Sequence, residues 1–175
     1  RITYANTIDE VQNWSVDTLI RTDWFGRSGF KTNLGSVFRG LAEVTPAEAL
    51  EVLERFIAPK EREELEDLEG RRPILESVRR IAVWEDYFFG AARLLQKLAE
   101  AENDGQYVNN STGLFADLFS PHYGPYAPTE VAPMDRYPIL EDLLSSQDSA
   151  KHRVGLEAAE QVLSIRGSRG GGIPH

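Results

Sequence analysis

The chain has 175 residues, 41% of them hydrophobic and 27% charged, which fits one domain or a short run of repeats with a buried core rather than disorder. Its formal net charge of −9 argues against nucleic acid or an anionic membrane surface as the main ligand, since both are held by basic faces. With no cysteine there can be no disulfide framework, thiolate zinc site or cysteine nucleophile, and a cytoplasmic setting is expected.

No apolar run reaches the ~20 residues that span a bilayer, so no membrane association is expected. The start, Arg1-Ile2-Thr3-Tyr4, lacks both an initiator Met and the features of a signal peptide, and reads as an excised or processed piece of a larger chain. Residues 1–32 form a poorly defined N-terminal segment. A short helix is expected over Thr7 to Trp14 with Ile8, Val11 and Gln12 on one side. Leu19, Ile20, Trp24 and Phe25 then add apolar mass before Gly26 and Gly29.

Helical signals become firm from Leu34. Leu34, Val37, Phe38 and Leu41 recur at i, i+3, i+4 and i+7, one face of a helix. Thr45-Pro46-Ala47-Glu48 reads as a helix start, with Thr45 accepting from the N3 amide, Pro46 at N1 and Glu48 reaching back. That helix buries Leu50, Leu53, Phe56 and Ile57 and stops at Pro59. Lys60 to Glu69 is a Glu-rich run anchored by Leu65 and Leu68, and reads as a solvated helix face. Gly70 and Pro73 bracket a new start, with Ile74, Val78, Ile81 and Ala82 on one stripe. Phe88, Ala91, Ala92, Leu95, Leu98 and Ala99 form the next, and the small residues at 90–92 would admit a neighbouring helix closely.

A loop-rich insertion is expected at 103–132, relieved by a short apolar helix around Leu114, Phe115, Leu118 and Phe119. Helix resumes near Asp135, where Pro138 is tolerable only in the first turn, and continues through Ile139, Leu140, Leu143 and Leu144. Asp148 or Ser149 caps a last helix with Leu156, Ala159, Val162 and Leu163 on its face. Residues 166–175 form a flexible Gly-rich tail.

These helices fall into pairs, with first members near Leu34, Ile74 and Ile139 and second members near Pro46, Asp86 and Ala150. The first two pairs lie 40 residues apart, and the third follows 65 later, the insertion supplying the excess. A repeat of that length resembles HEAT and armadillo units, and Asp148, Arg153, Val154, Ala158, Ala159 and Leu163 resemble the second half of a degenerate HEAT unit. The expected fold class is therefore all-α. It consists of stacked antiparallel helix pairs of an α-solenoid segment over 33–165, each hiding its apolar face against the next. An irregular helical bundle with accidental spacing is the alternative.

The chain carries little recognisable chemistry. Gly26-Arg27-Ser28-Gly29-Phe30-Lys31-Thr32 lacks the contiguous Gly-Lys-Ser/Thr and the glycine spacing of a phosphate-binding loop. His122, His152 and His175 have no ligand-like neighbours, so no metal site is expected. No nucleophile elbow, catalytic triad motif or dinucleotide fingerprint occurs, and no catalytic residue, cofactor or small-molecule substrate is assigned. Glu85 and Asp86 read as first-turn acids favoured by the helix dipole. A strip of Arg71, Arg72, Arg79, Arg80 and Arg93 is the one feature that would suit nucleic acid.

Phe119-Ser120-Pro121-His122-Tyr123-Gly124-Pro125-Tyr126 is the segment suited to recognition, since aromatics on a Pro-punctuated loop make good contacts. Phe119, His122, Tyr123 and Tyr126 are thus candidate partner contacts. The competing and preferred reading has Phe119, Tyr123 and Tyr126 folding back over adjacent helices.

The run from Gly70-Arg71-Arg72-Pro73-Ile74-Leu75-Glu76-Ser77-Val78 through Ala82-Val83-Trp84 and Tyr87-Phe88 to Leu98-Ala99-Glu100 resembles the helical-repeat region of large bacterial STAND-type NTPases. Leu41-Ala42-Glu43-Val44-Thr45-Pro46 and Val108-Asn109-Asn110-Ser111, with Leu114 and Phe119, extend the resemblance over roughly Leu34 to Leu163. It implies a non-enzymatic scaffold or sensor within an antiphage defence protein, bound to a protein partner or to neighbouring domains of the same polypeptide. It carries no nucleotide-binding residue onto this chain.

Overall fold

The computed structural model describes residues 4–26, 33–102, 110–122 and 127–163, with side chains described from residue 9 onward. All regular structure among the described residues is helical, in nine elements. These are α1 (Tyr4–Arg21), α2 (Asn33–Val44), α3 (Pro46–Ile57), α4 (Arg62–Glu66), α5 (Arg71–Ile81), α6 (Glu85–Glu100), α7 (Ser111–Asp117), α8 (Pro133–Ser145) and α9 (Ser149–Leu163). No helix among them is long and apolar enough to cross a membrane. The segment 166–175 lies outside the described residues.

α1 is longer than the helix expected over Thr7 to Trp14. Of the expected stripe, Val11 and Gln12 are exposed and the Ile8 side chain lies outside the described residues, while Ser15 and Leu19 face the core. Beyond α1, Trp24 Nε1 donates to the Leu19 carbonyl at 3.0 Å and meets Phe38 of α2 edge-on at 5.2 Å. Phe25 stacks on Phe56 of α3 with centroids 3.8 Å apart. These aromatics fix the chain after α1 against both α2 and α3, the two helices that α1 itself touches.

α2 buries Gly35, Phe38, Leu41 and Ala42, and Val37 is exposed. At about 100° per residue the stripe centres between Phe38 and Ala42, which puts Val37 on its edge. Thr45 is the single residue between α2 and α3. The expected side-chain cap does not form: Thr45 Oγ1 instead donates back to the Leu41 carbonyl at 3.0 Å, closing the end of α2. The capping arrangement appears one element later, where the Glu64 carboxylate accepts from the Glu61 amide at 3.0 Å at the start of α4. The short charged helix α4 is held by Leu65, buried, and Leu68, half-buried.

Gly70, at φ 72° and ψ 20°, turns the chain into α5. In the left-handed region a Cβ costs energy, which glycine avoids. Ile74, Val78, Ile81 and Ala82 are fully buried, as are Phe88, Ala91, Leu95, Leu98 and Ala99 of α6. The small residues at 90–92 do admit a helix. A Cβ on Gly90 would sit 2.8 Å from Leu50 Cδ2 of α3.

The contacts among helices define the body. α2 lies against α3 and α5, α3 against α5 and α6, and α5 against α6. α7 falls in the stretch read as an insertion, yet it packs against α5, α6 and α9 and buries Leu114 and Phe115 in the common core. The segment after it is pinned to the α5–α6 turn: the Glu130 amide and Thr129 Oγ1 both donate to the Val83 carbonyl, at 2.8 and 3.1 Å. α9 lies against α6, α7 and α8.

α8 begins at Pro133, two residues before the expected start, so Pro138 falls in the second turn. Its missing amide leaves one helical bond unmade, on a side where Pro138 itself is exposed. In α9, Asp148 is the cap, accepting from the Ala150 amide at 2.8 Å and the Lys151 amide at 3.2 Å. The buried stripe of α9 is Ala150, Val154, Gly155 and Ala158. Leu156 and Leu163, expected on that face, are 53% and 82% exposed.

Candidate functional site

The aromatic loop is built on the end of α7. Asn110 Oδ1 accepts from the Gly113 amide at 2.7 Å and starts the helix, which then runs into Leu118 and Phe119. Phe119 is only 4% exposed and meets Phe115 edge-on at 5.0 Å, so it packs in the core and offers no surface to a partner. His122 is half-buried, with Nδ1 2.5 Å from the buried Ser120 Oγ. That contact spans two residues. Ser120 is too enclosed for a nucleophile. Tyr123 and Tyr126 lie outside the described residues.

The group beneath this loop is Arg136 of α8, a residue the periodicity had not singled out. It is 1% exposed, among the largest fully buried side chains of the protein. Its Nη1 donates to the Leu118 and Ser120 carbonyls, the latter at 3.2 Å, and its Nε has no partner among the described residues. Burial pushes its pKa down to about 10, still far above neutrality, so the cation persists. It satisfies carbonyls at the C-terminal end of α7, where the helix dipole favours positive charge. Arg136 shares the core-facing side of α8 with Leu140 and Leu143, at i+4 and i+7, and that register was the available signal.

The same device recurs. Lys97 Nζ donates to the carbonyl of Ala58, the C-cap of α3, at 2.6 Å. Arg71 donates to the Leu65 carbonyl of α4 and, at 2.5 Å, to the Leu98 carbonyl of α6. Arg153 of α9 donates to the Ala99 carbonyl of α6 at 2.9 Å. Four helix ends are thus closed by a cation from another element, which couples their relative positions.

Three of the five arginines of the strip, Arg71, Arg72 and Arg80, have acidic neighbours. Arg71 is drawn inward, and its pKa is lowered by burial against the opposing pull of Glu102. Arg72 bonds Glu76 at 3.3 Å, Arg80 pairs with Glu43, and Arg39 of α2 pairs with the same Glu76. The Arg80–Glu43 and Arg39–Glu76 pairs join α2 to α5. At the start of α6, Glu85 and Asp86 are exposed, and the Glu85 amide donates to Glu130 Oε2 at 3.1 Å. No group of three His, Cys, Asp or Glu side chains among the described residues could hold a metal ion.

What the surface does offer is apolar. Met134, Tyr137 and Leu144 of α8 are 76%, 55% and 36% exposed. Val11 and Trp14 of α1, Val37 and Val44 of α2, Phe89 of α6, and Leu156 and Leu163 of α9 are also open to solvent. No known protein family, characterised protein or solved structure matches the chain.

Proposed function

We propose that the chain is a non-enzymatic α-helical repeat module, HEAT- or armadillo-like, that binds a protein partner or holds neighbouring domains of one polypeptide in place. The observation that carries this reading is the contact pattern of the two helix pairs set 40 residues apart. First member α2 lies on first member α5, and second member α3 on second member α6. Exposed apolar side chains on α1, α2, α8 and α9 give such a module material for contacts. The setting that the motif resemblance favours is a large bacterial STAND-type NTPase of antiphage defence.

The test is reconstitution. Proteins that co-purify with the chain from its native host are purified separately and mixed back, and saturable binding by calorimetry is the expected result. If no purified candidate rebinds, the module reading is withdrawn. The rival reading is a nucleic-acid module, and titration with duplex DNA and RNA at low salt tests it, with no saturable binding expected.

A further inference from the structure

We infer that the outward face of α8 is a docking surface for a basic amphipathic helix of a protein partner, an inference that rests on the module reading above. α8 is apolar on two sides. Inward it turns Arg136, Leu140 and Leu143. Outward, Met134, Tyr137, Glu141 and Leu144 follow at spacings of three, four and three residues, one continuous stripe on a helix. Its extensive helix contact is with α9, on the inner side, where a Cβ on Gly155 would lie 2.8 Å from Leu143 Cβ. The outer stripe is left in water with three large apolar side chains along a helix of 13 residues.

Charge selects the occupant. Glu141 lies within the stripe, and Asp135 and Asp142 are exposed on the other solvent-facing flank of α8. Arg136 is the lone cation of α8 and is spent inward on the Leu118 and Ser120 carbonyls. The solvent side of α8 therefore presents apolar anchors with one acid among them and two on the adjoining flank, and no exposed base on the helix. A phosphate-bearing ligand or an anionic bilayer meets repulsion there, and a second copy would set these acids against their own kind. A partner helix with apolar residues at i, i+3, i+4 and i+7 and Lys or Arg alongside complements both features.

Fluorescence anisotropy of a labelled Leu/Lys peptide of about 20 residues with helical periodicity, titrated with the full chain, tests this directly. Two controls accompany it: the same composition with its periodicity scrambled, and a Leu/Glu counterpart. Saturable binding of the amphipathic basic peptide is expected. It should weaken about tenfold or more in the Met134→Ser/Tyr137→Ser variant and in Glu141→Lys/Asp142→Lys, and stay unchanged in Val37→Ser. All five positions are exposed, and circular dichroism checks that the variants fold. Equal binding of the scrambled or acidic peptide, or indifference to the α8 substitutions, overturns the proposal. So does sedimentation showing a dimer that the α8 substitutions dissolve. A native partner that rebinds α8 variants and wild type alike removes this surface while leaving the module reading in place.

Discussion

The Arg71 guanidinium lies 3.6 Å from the Glu102 carboxylate, and both side chains converge on Ser111. Arg71 donates to Ser111 Oγ from Nε at 3.1 Å and from Nη2 at 2.8 Å, while the Ser111 amide donates to Glu102 Oε2 at 2.7 Å. With its bonds to Leu65 and Leu98, the guanidinium joins α4, α5, α6 and α7 at one point. Arg71→Ala leaves several inward-facing acceptors and a largely buried carboxylate without their cation. The expected loss is about 3 kcal/mol, read by urea denaturation. Arg71→Lys should recover little, because an ammonium cannot reach four acceptors in a planar fan.

The glycines divide by what surrounds them. Gly40 of α2 is exposed, and a Cβ there meets nothing within 4 Å, so Gly40→Ala should stabilise by about 0.5–1 kcal/mol through helix propensity. Gly155 is the opposite case. Its Cβ would press on Leu143 Cβ and on backbone atoms of Leu143 and Leu144 at 3.2 Å, which cannot swing aside. Gly155→Ala should cost about 1–3 kcal/mol. Gly90→Ala should fall between them, since its obstacle is the movable end of Leu50. Thermal melts of the three variants check the order, and a destabilised Gly40→Ala would contradict the packing of α2.

Which of these features the sequence showed depends on how local their causes are. The α5 and α6 faces were legible because Ile74, Val78 and Ile81, then Phe88, Leu95 and Leu98, repeat at helical spacing and are buried. Val37 satisfied the same arithmetic and came out exposed at the edge of its stripe, whereas Leu156 and Leu163 lie across α9 from the small residues Ala150, Gly155 and Ala158 that face the core. Thr45 has a cap's identity, but its hydroxyl is claimed by Leu41 across a one-residue connection. Arg136 was hidden for a different reason: its acceptors precede it by 18 and 16 residues, and α8 looks weakly amphipathic because both its sides carry apolar groups. The aromatic loop was half legible. Phe119 went to the core as the packing reading preferred, and the fate of Tyr123 and Tyr126 lies outside the described residues.

Arg136 anchors the root of that loop, so its removal should be felt at a distance along the chain. Arg136→Met keeps the approximate length and lifts the cost of burying a cation, but it strands the Leu118 and Ser120 carbonyls. The second effect should dominate, giving a loss of about 1–3 kcal/mol. Hydrogen exchange is the discriminating measurement. Amides of 118–122 should lose protection more than those of α5, whereas uniform loss would show that Arg136 merely fills space.

Acid stability offers a test of the two helix starts. Asp148 accepts from the Lys151 and Ala150 amides, and Glu64 from the Glu61 amide, and these bonds hold both carboxyls below their ordinary pKa. For an acid the sign follows directly. A depressed folded pKa means that the unfolded chain binds the proton first, so the stabilisation is present above the unfolded value and is lost as pH falls through the folded one. The window lies below about pH 4. Asp148→Asn keeps an oxygen able to cap α9 while removing the proton-binding group. Its denaturation midpoint at pH 7 should stay close to that of the parent, and its decline between about pH 4 and pH 2 should be shallower. A variant that tracks the parent through that whole range would show that the Asp148 carboxylate gains nothing from the α9 amides.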